Sequence, residues 1–231
     1  MKRLALIATV AVAALALAAD SYDLKRVEKA GDVKKYAVHM DFEVQGMPGD
    51  FSADVTQTID SVDADSKLAK VKHEMANGTA NVGGNSMQQD VPTYFTFVGA
   101  DNWPTKVEGE AANSNTLRFA RALSPAFASA PIEIKDGKAH WTTEVKADSE
   151  KGLAGWKQEA TYTGKESQGG EDCDKVDFEL KETEGDQAIV SKGTAWFRHA
   201  DGAMVKMTTD VQNMPIQGYV INAKYSVTLQ K

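Results

Sequence analysis

Residues that build metal centres, disulfide scaffolds and covalent catalytic sites are scarce in this sequence. It has one cysteine, Cys173, and four histidines among 231 residues. A lone cysteine cannot close an internal disulfide, so an apolar core must hold the fold together. Acidic residues surround Cys173 in the stretch GGEDCDKVDF, and nearby negative charge raises a thiol pKa. We interpret Cys173 as an unreactive structural thiol.

Recognised catalytic and ligand-binding motifs are absent as well. The sequence has no HExxH or HxH pair, no GxSxG motif and no glycine-rich phosphate loop. The acidic stretch DSVDADS lacks the glycine and glutamate of an EF-hand calcium loop. The histidines are scattered along the chain, at His39, His73, His140 and His199, and are interpreted as surface residues. We therefore predict no catalytic residue, no metal site and no cofactor, and a protein that is not an enzyme.

Positive charge is also in short supply. The chain carries a net charge of −7, and an acidic surface repels nucleic-acid backbones and anionic lipid surfaces. Its one basic cluster, between Lys25 and Lys35, alternates with Glu28 and Asp32. This mixture is typical of a solvated face. We expect no nucleic-acid partner.

The N-terminus has the pattern of a secretory signal peptide. Two basic residues precede an uncharged apolar run, residues 4–15, which ends in the small-x-small motif Ala16-Leu17-Ala18. The run is short for a membrane span, and no second run approaches that length. We predict a cleaved segment, 1–18, and a mature chain, 19–231. The mature protein would be periplasmic or extracellular and not an integral membrane protein.

Alternation of apolar and polar residues dominates the mature chain. In KYAVHMDFEV (35–44) every second residue is apolar or aromatic, and YVINAKYSVTL (219–229) has the same period. Successive side chains of a strand point to opposite faces, so this period predicts antiparallel sheets with one buried and one wet face. Stretches such as QGMPGD, ANGTANVGGN and HADGAM are predicted turns. The expected fold is mainly β, with an antiparallel curved sheet arranged as a half-barrel or sandwich.

An internal duplication is a further prediction. KVKHEM (70–75) matches KVDFEL (175–180) at an offset of 105 residues. This predicts two β repeats, about 22–110 and 132–231, joined by residues 111–131 within a single domain.

The joining segment is the least β-like part of the mature chain. Its stretch NTLRFARAL (115–123) has helical spacing and predicts one short helix, which Pro125 would end. A segment of this kind between two β regions is the natural candidate for a lid or linker.

The chain resembles secreted bacterial β proteins of the domain-of-unknown-function type. The residues that carry the likeness are the signal peptide and the stretches KAGDVKKYAVHMDFEV and PIEIKDGKAHWTTEV, where a turn with Gly and Asp leads into a strand. The layout is also similar to that of periplasmic lipoprotein carriers, in which a half-open β-barrel holds acyl chains against a helical lid. The segment NTLRFARALSPAFASAP matches the lid. The resemblance concerns layout, so it implies no site residue.

Two functions follow as alternatives. In the first, the protein binds a hydrophobic or lipidic small molecule on its curved sheet. In the second, it is a structural or protein-interaction module of the cell envelope, with a filled core and an envelope protein as partner. A hydrolase site assembled from distant residues is a third, weaker reading. Candidate ligand contacts are aromatic residues in or beside strands, for which core packing is the other explanation: Trp141, Trp156, Trp196, Phe95 and Phe97.

Overall fold

The computed structural model describes residues 20–148, 153–216 and 219–231. The signal peptide predicted at 1–18 lies outside the described residues. In chain order the elements are β1 (Ser21–Tyr22), β2 (Val33–Val44), β3 (Met47–Val62), β4 (Ala69–Val82), β5 (Asn85–Gln88), β6 (Tyr94–Val98), β7 (Pro104–Gly109), α1 (Ser114–Ala122), β8 (Ile132–Glu133), β9 (Ala139–Val145), β10 (Trp156–Gln168), β11 (Glu171–Glu182), β12 (Val190–Arg198), β13 (Met204–Ile216) and β14 (Tyr219–Leu229).

Twelve of these strands form one antiparallel, curved sheet. Its order is β7-β6-β4-β3-β2-β14-β13-β12-β11-β10-β9, and β5 pairs with β4 beside this path. Strands β7 and β9 are the two ends of the order, so the sheet is not closed into a barrel. Strands β1 and β8 pair separately. The predicted fold class is confirmed, including the single short helix in the joining segment.

Strand β2 shows why the alternating pattern produces this sheet. Tyr36, Val38 and Met40 are buried on its concave face, while the residues between them are exposed. Neighbouring β14 pairs with β2 in antiparallel register, with Val227 opposite Val38. Strands β2 and β14 therefore contribute an apolar row to one side of the sheet and a mainly polar row to the other.

The two stretches predicted as repeats share this sheet. Strands β9 to β13 follow one another across it, then β14, and then β2, β3, β4, β6 and β7 in the same direction. KVKHEM lies in β4 and KVDFEL in β11, each the third strand that its stretch contributes to the large sheet. This order is compatible with the duplication, which stays a prediction.

In one of the predicted turns, only the C-terminal end forms a turn in the structure. In ANGTANVGGN, Gly83 and Gly84 connect β4 to β5 with positive φ angles. Asn77 and Gly78 instead form a bulge inside β4, because the register with β3 shifts there and Asn77 adopts a φ of +56°. Asparagine and glycine tolerate that left-handed conformation in a bulge as they do in a turn, so the local signal was ambiguous.

The concave face of β9 to β13, which we call the covered half, is filled by the chain itself. Tyr22, from β1, stacks on Tyr162 with ring centroids 4.6 Å apart. Phe127, which follows α1, meets Phe197 edge-on at 4.8 Å. These residues belong to one large apolar cluster.

A buried glutamine anchors the segment after α1 to the covered half. Gln158 is 1% exposed, and its side-chain amide donates to the Ala126 carbonyl oxygen at 2.7 Å. The Gln158 carbonyl accepts from the Ala126 backbone nitrogen, also at 2.7 Å. A buried polar side chain that satisfies both backbone groups of one residue specifies where that segment lies.

Helix α1 is held over the sheet by an ion pair. Arg118 donates from Nε and Nη2 to the two carboxylate oxygens of Glu182, at 2.6 and 2.7 Å. The Glu182 side chain is fully buried and also accepts from the Ile189 backbone nitrogen at 2.8 Å.

In the described part of the chain, no helix is both long and apolar enough to cross a membrane.

Candidate ligand cavity

The concave face of the remaining main strands is not filled. A cavity of about 890 Å³ lies over β14, β2, β3, β4 and β6, which we call the open half, and it extends to β13 at Met204, Met207 and Ile216. Helix α1 and the residue that follows it contribute to the facing wall through Phe119, Ala120 and Leu123. Small-molecule sites in proteins usually measure roughly 300–1,000 Å³, so the cavity has the size of a binding site.

Large apolar side chains form most of the cavity wall. Strand β2 contributes the row Tyr36, Val38, Met40, Phe42 and Val44. These are the inward positions of the alternating pattern, and they continue the concave face that the covered half fills with its own chain. The wall therefore offers hydrocarbon-like surface, of which the inner part, at Tyr36, Val38 and Met40, is already buried in the core and the part at Phe42 and Val44 is half-buried.

Strand β4 brings a histidine into the cavity. His73 stacks on Tyr94 with ring centroids 4.6 Å apart and rings nearly parallel, and its Nε2 lies 2.8 Å from Thr96 Oγ1. Removal of the ring from water lowers the pKa of His73 to about 3, and the positive charge of Arg26 adds to the shift. His73 is therefore neutral at pH 7, and the surface position predicted for it is wrong. Its spacing from the apolar Val71 was the signal for an inward position.

Two tyrosines face the cavity from opposite sides of the open half. Burial raises the pKa of Tyr94 to about 12 and also raises that of Tyr225, so both rings stay neutral. Among the described residues neither hydroxyl has a hydrogen-bond partner. Phe119 of α1 packs edge-on against Tyr225 at 6.1 Å, which ties the helix to this wall.

One end of the cavity, the inner end, is closed by the segment 24–29, which we call the strap. The backbone nitrogen of Arg26 donates to the carbonyl oxygen of Ala100 at 3.0 Å. The next nitrogen, of Val27, donates to the carbonyl oxygen of Asp201 at 2.9 Å. The strap thus spans from the β6–β7 connection to the β12–β13 turn.

Charged side chains meet beneath the strap. Glu28 accepts from Arg26 Nε and from Lys34 Nζ, the latter at 2.8 Å, while Arg26 Nη1 donates to Asn102 Oδ1 at 3.0 Å. The side chains of Arg26, Glu28 and Lys34 are only 14%, 4% and 12% exposed. The solvated face predicted for this cluster is therefore wrong for these three residues, because the strap folds them inward.

The opposite end of the cavity, the outer end, is open and apolar. Met47, Met87 and Tyr219 line it and are 43%, 48% and 51% exposed. Phe42 lies just inside, with its ring across Gly49, where a Cβ atom would come within 2.7 Å of that ring. The cavity therefore has an apolar mouth and a polar, closed inner end.

The five aromatic residues predicted as ligand contacts lie elsewhere. Trp141 and Trp156 are buried in the core of the covered half, where Trp141 Nε1 donates to the Ala126 carbonyl at 3.1 Å. Trp196 packs with Cys173 in a small separate cluster.

The other two aromatic residues, Phe95 and Phe97, alternate along β6 with the cavity-lining residues of that strand, and Lys70 lies near both rings. None of the five lines the cavity, so the proposal below rests on other side chains.

Cys173 is fully buried, in agreement with its interpretation as a structural thiol. It packs with Trp196 and Val205, and burial raises its thiol pKa. Within the described ranges no three His, Cys, Asp or Glu side chains are grouped to hold a metal ion. The cavity itself offers apolar surface, neutral hydroxyl and amide groups, and one charged end.

Comparison with solved structures finds similar chains at low sequence identity, among them the following two. A Bacteroides fragilis protein with a YmcC-like fold, described as exported, is 13% identical, and the match covers 90% of this chain and 99% of that one with a TM-score of 0.31. A DUF1329 family protein from Desulfovibrio piger is 12% identical, with 87% and 85% coverage and a TM-score of 0.29. No protein-family model and no curated protein matches the chain. The first neighbour is described as exported and the second only by its DUF family, and we transfer no function from them.

Proposed function

We propose that this is an exported, non-enzymatic protein of the periplasm or cell exterior that binds a hydrophobic or lipidic small molecule in the cavity of the open half. The observation that carries the proposal is the contrast between the two halves of one sheet. The covered half is filled by Tyr22, Phe127 and their neighbours, whereas about 890 Å³ over the open half is unfilled.

The energetics of burial favour a ligand at this place. Apolar surface gains about 25 cal/mol for each Å² removed from water, and the accessible apolar surface of the open half lies towards the mouth, at Phe42, Val44, Met47 and Met87. A hydrocarbon chain bound there would fill the concave face of the open half, as Phe127 fills that of the covered half. The apolar mouth at Met47, Met87 and Tyr219 provides the route of entry.

The alternative is the interaction module with a filled core. A filled core describes the covered half alone, so the open half favours the small-molecule function. Exposed apolar residues at the outer end are explained by ligand entry without a protein partner.

Native mass spectrometry tests the proposal on protein exported to its own compartment and purified without detergent. We expect extra mass that denaturation releases as a small apolar molecule. The empty protein should also enhance the fluorescence of the uncharged probe N-phenyl-1-naphthylamine.

A matched pair of variants on β4 locates the binding site. Ala80 lines the cavity, whereas Ala76 is exposed on the same strand and does not. Ala80→Trp should therefore reduce probe binding by filling the space, and Ala76→Trp should leave it unchanged. A wild-type protein that carries no ligand and binds no probe would overturn the proposed function, as would equal effects of the two substitutions.

A further inference from the structure

Among the described residues that line the cavity, charge is confined to one end. The charged side chains among the lining residues are Arg26, Glu28 and Lys34, and all three lie at the inner end. Two are cationic and one is anionic, so this end carries an excess of one positive charge. The nearby Arg198 and Asp201 pair with each other at 3.6 Å and are not part of the wall.

The two cations retain unused hydrogen-bond donors. Lys34 Nζ contacts one carboxylate, that of Glu28, at 2.8 and 3.0 Å, although an ammonium group has three donors. Arg26 uses Nε for Glu28 and Nη1 for Asn102. Its Nη2 has no acceptor within the part of the chain that the structure describes.

The two cations beneath the strap have limited contact with water. Lys34 and Arg26 are 12% and 14% exposed, and a charge withdrawn from water is costly unless it is paired. An anionic oxygen group in the cavity would accept the unused donors and neutralise the excess charge. Charge-assisted hydrogen bonds of this type are among the strongest in proteins.

The dimensions suit a molecule with one charged end. Strand β2 runs from Lys34 at the inner end to Val44 at the mouth, and ten steps along a strand span roughly 33 Å. Between those residues the inward side chains are Tyr36, Val38, Met40 and Phe42. Polarity therefore changes once along the cavity, from cationic to apolar.

We propose that the ligand is a long-chain amphiphile with an anionic oxygen headgroup, a carboxylate or a phosphate. The headgroup binds at Lys34 and Arg26, and the chain follows β2 towards the mouth. This inference rests on the proposed function and names its ligand class.

Displacement of N-phenyl-1-naphthylamine by ligands of one chain length tests the inference. Dodecanoate, dodecyl phosphate, dodecanol and dodecylamine are compared below their aggregation concentrations. We expect at least one of the two anions to bind about ten- to a hundredfold more tightly than dodecanol, the range expected for hydrogen bonds to a charged group. The tighter of the two anions identifies the headgroup.

Adjacent lysines supply a matched control. Lys34→Met removes the excess charge inside the cavity, while Lys35→Met removes the same charge from the exposed face of the same strand. Lys34→Met should abolish the preference for the anion over dodecanol. Lys35→Met and the conservative Lys34→Arg should both retain the preference.

The outcomes separate the inference from the proposed function. If dodecanol binds as tightly as both anions, or dodecylamine binds best, the cavity binds apolar chains and the headgroup assignment is wrong. A preference that survives Lys34→Met also overturns the assignment. If neither the probe nor any dodecyl compound binds, the proposed function itself fails. The wild-type series alone decides the headgroup question should Lys34→Met not fold.

Discussion

Acidification should destabilise the protein through His73, which stands in the cavity against Tyr94. The pKa of His73 is about 3 in the folded protein and about 6.5 in an unfolded chain. The folded-state pKa is the lower one, so folding favours the neutral form of His73. The contribution of this preference to the free energy of unfolding is complete above pH 6.5. It is lost progressively as the pH falls from 6.5 towards 3, where the unfolded chain binds one more proton than the folded protein.

The size of the effect follows from the same two pKa values. Stability should fall by about 1.4 kcal/mol for each pH unit below 6.5, and therefore by about 2 kcal/mol between pH 7 and pH 5. Water that enters the cavity would reduce this figure, so it is an upper value. A loss of that size is a large fraction of the stability of an ordinary domain.

Urea unfolding, followed by tryptophan fluorescence at pH 7 and pH 5, measures the effect. Carboxylates also titrate in this range, so the informative quantity is the pH dependence of wild type minus that of His73→Gln. Between pH 7 and pH 5 the free energy of unfolding of His73→Gln should fall by about 2 kcal/mol less than that of wild type. This difference does not depend on the stability of the variant at pH 7. Equal pH dependence in wild type and His73→Gln would refute the reasoning.

Three further predictions concern the packing that creates the cavity. Arg118→Met leaves the buried Glu182 carboxylate without its cation and should lower the free energy of unfolding by about 3–5 kcal/mol in urea titrations; a loss under 1 kcal/mol would mean that the pair does not hold the helix. Phe127→Ala empties part of the covered half and should lower the free energy of unfolding by about 3–5 kcal/mol, measured in the same way. A much smaller loss would mean that the segment after α1 is not packed as described. Cys173 should react with a thiol reagent only as fast as the protein unfolds, because it is fully buried with a raised pKa. Rapid labelling of the native protein at pH 8 would contradict its placement.

The sequence alone was sufficient for the secondary structure and for the kind of sheet. Strict alternation in KYAVHMDFEV specifies a strand with one buried face, and this property depends on neighbouring residues only. The short helix was likewise predictable from the spacing within NTLRFARAL and from the proline that follows. These are local signals, and local signals can be read from one stretch of chain at a time.

The cavity wall was only partly predictable. In β6 the stretch YFTFV is aromatic or apolar on both faces, so alternation could not tell which face is concave. The sequence favoured Phe95 and Phe97 as ligand contacts, whereas the cavity is lined by the residues that alternate with them. His73 shares the spacing of the apolar Val71 and Met75, which indicates an inward position, but no local feature shows that this face lines a cavity.

Tertiary structure alone decided which half of the sheet is filled. Tyr22 and Phe127 reach the covered half from segments about a hundred residues apart in the chain, and no pattern in either segment specifies its destination. The same holds for the strap, which places Arg26 and Glu28 against Lys34. Burial and net charge at a site depend on which distant segments meet there, so the sequence determined the strands, and the packing of remote segments determined the cavity.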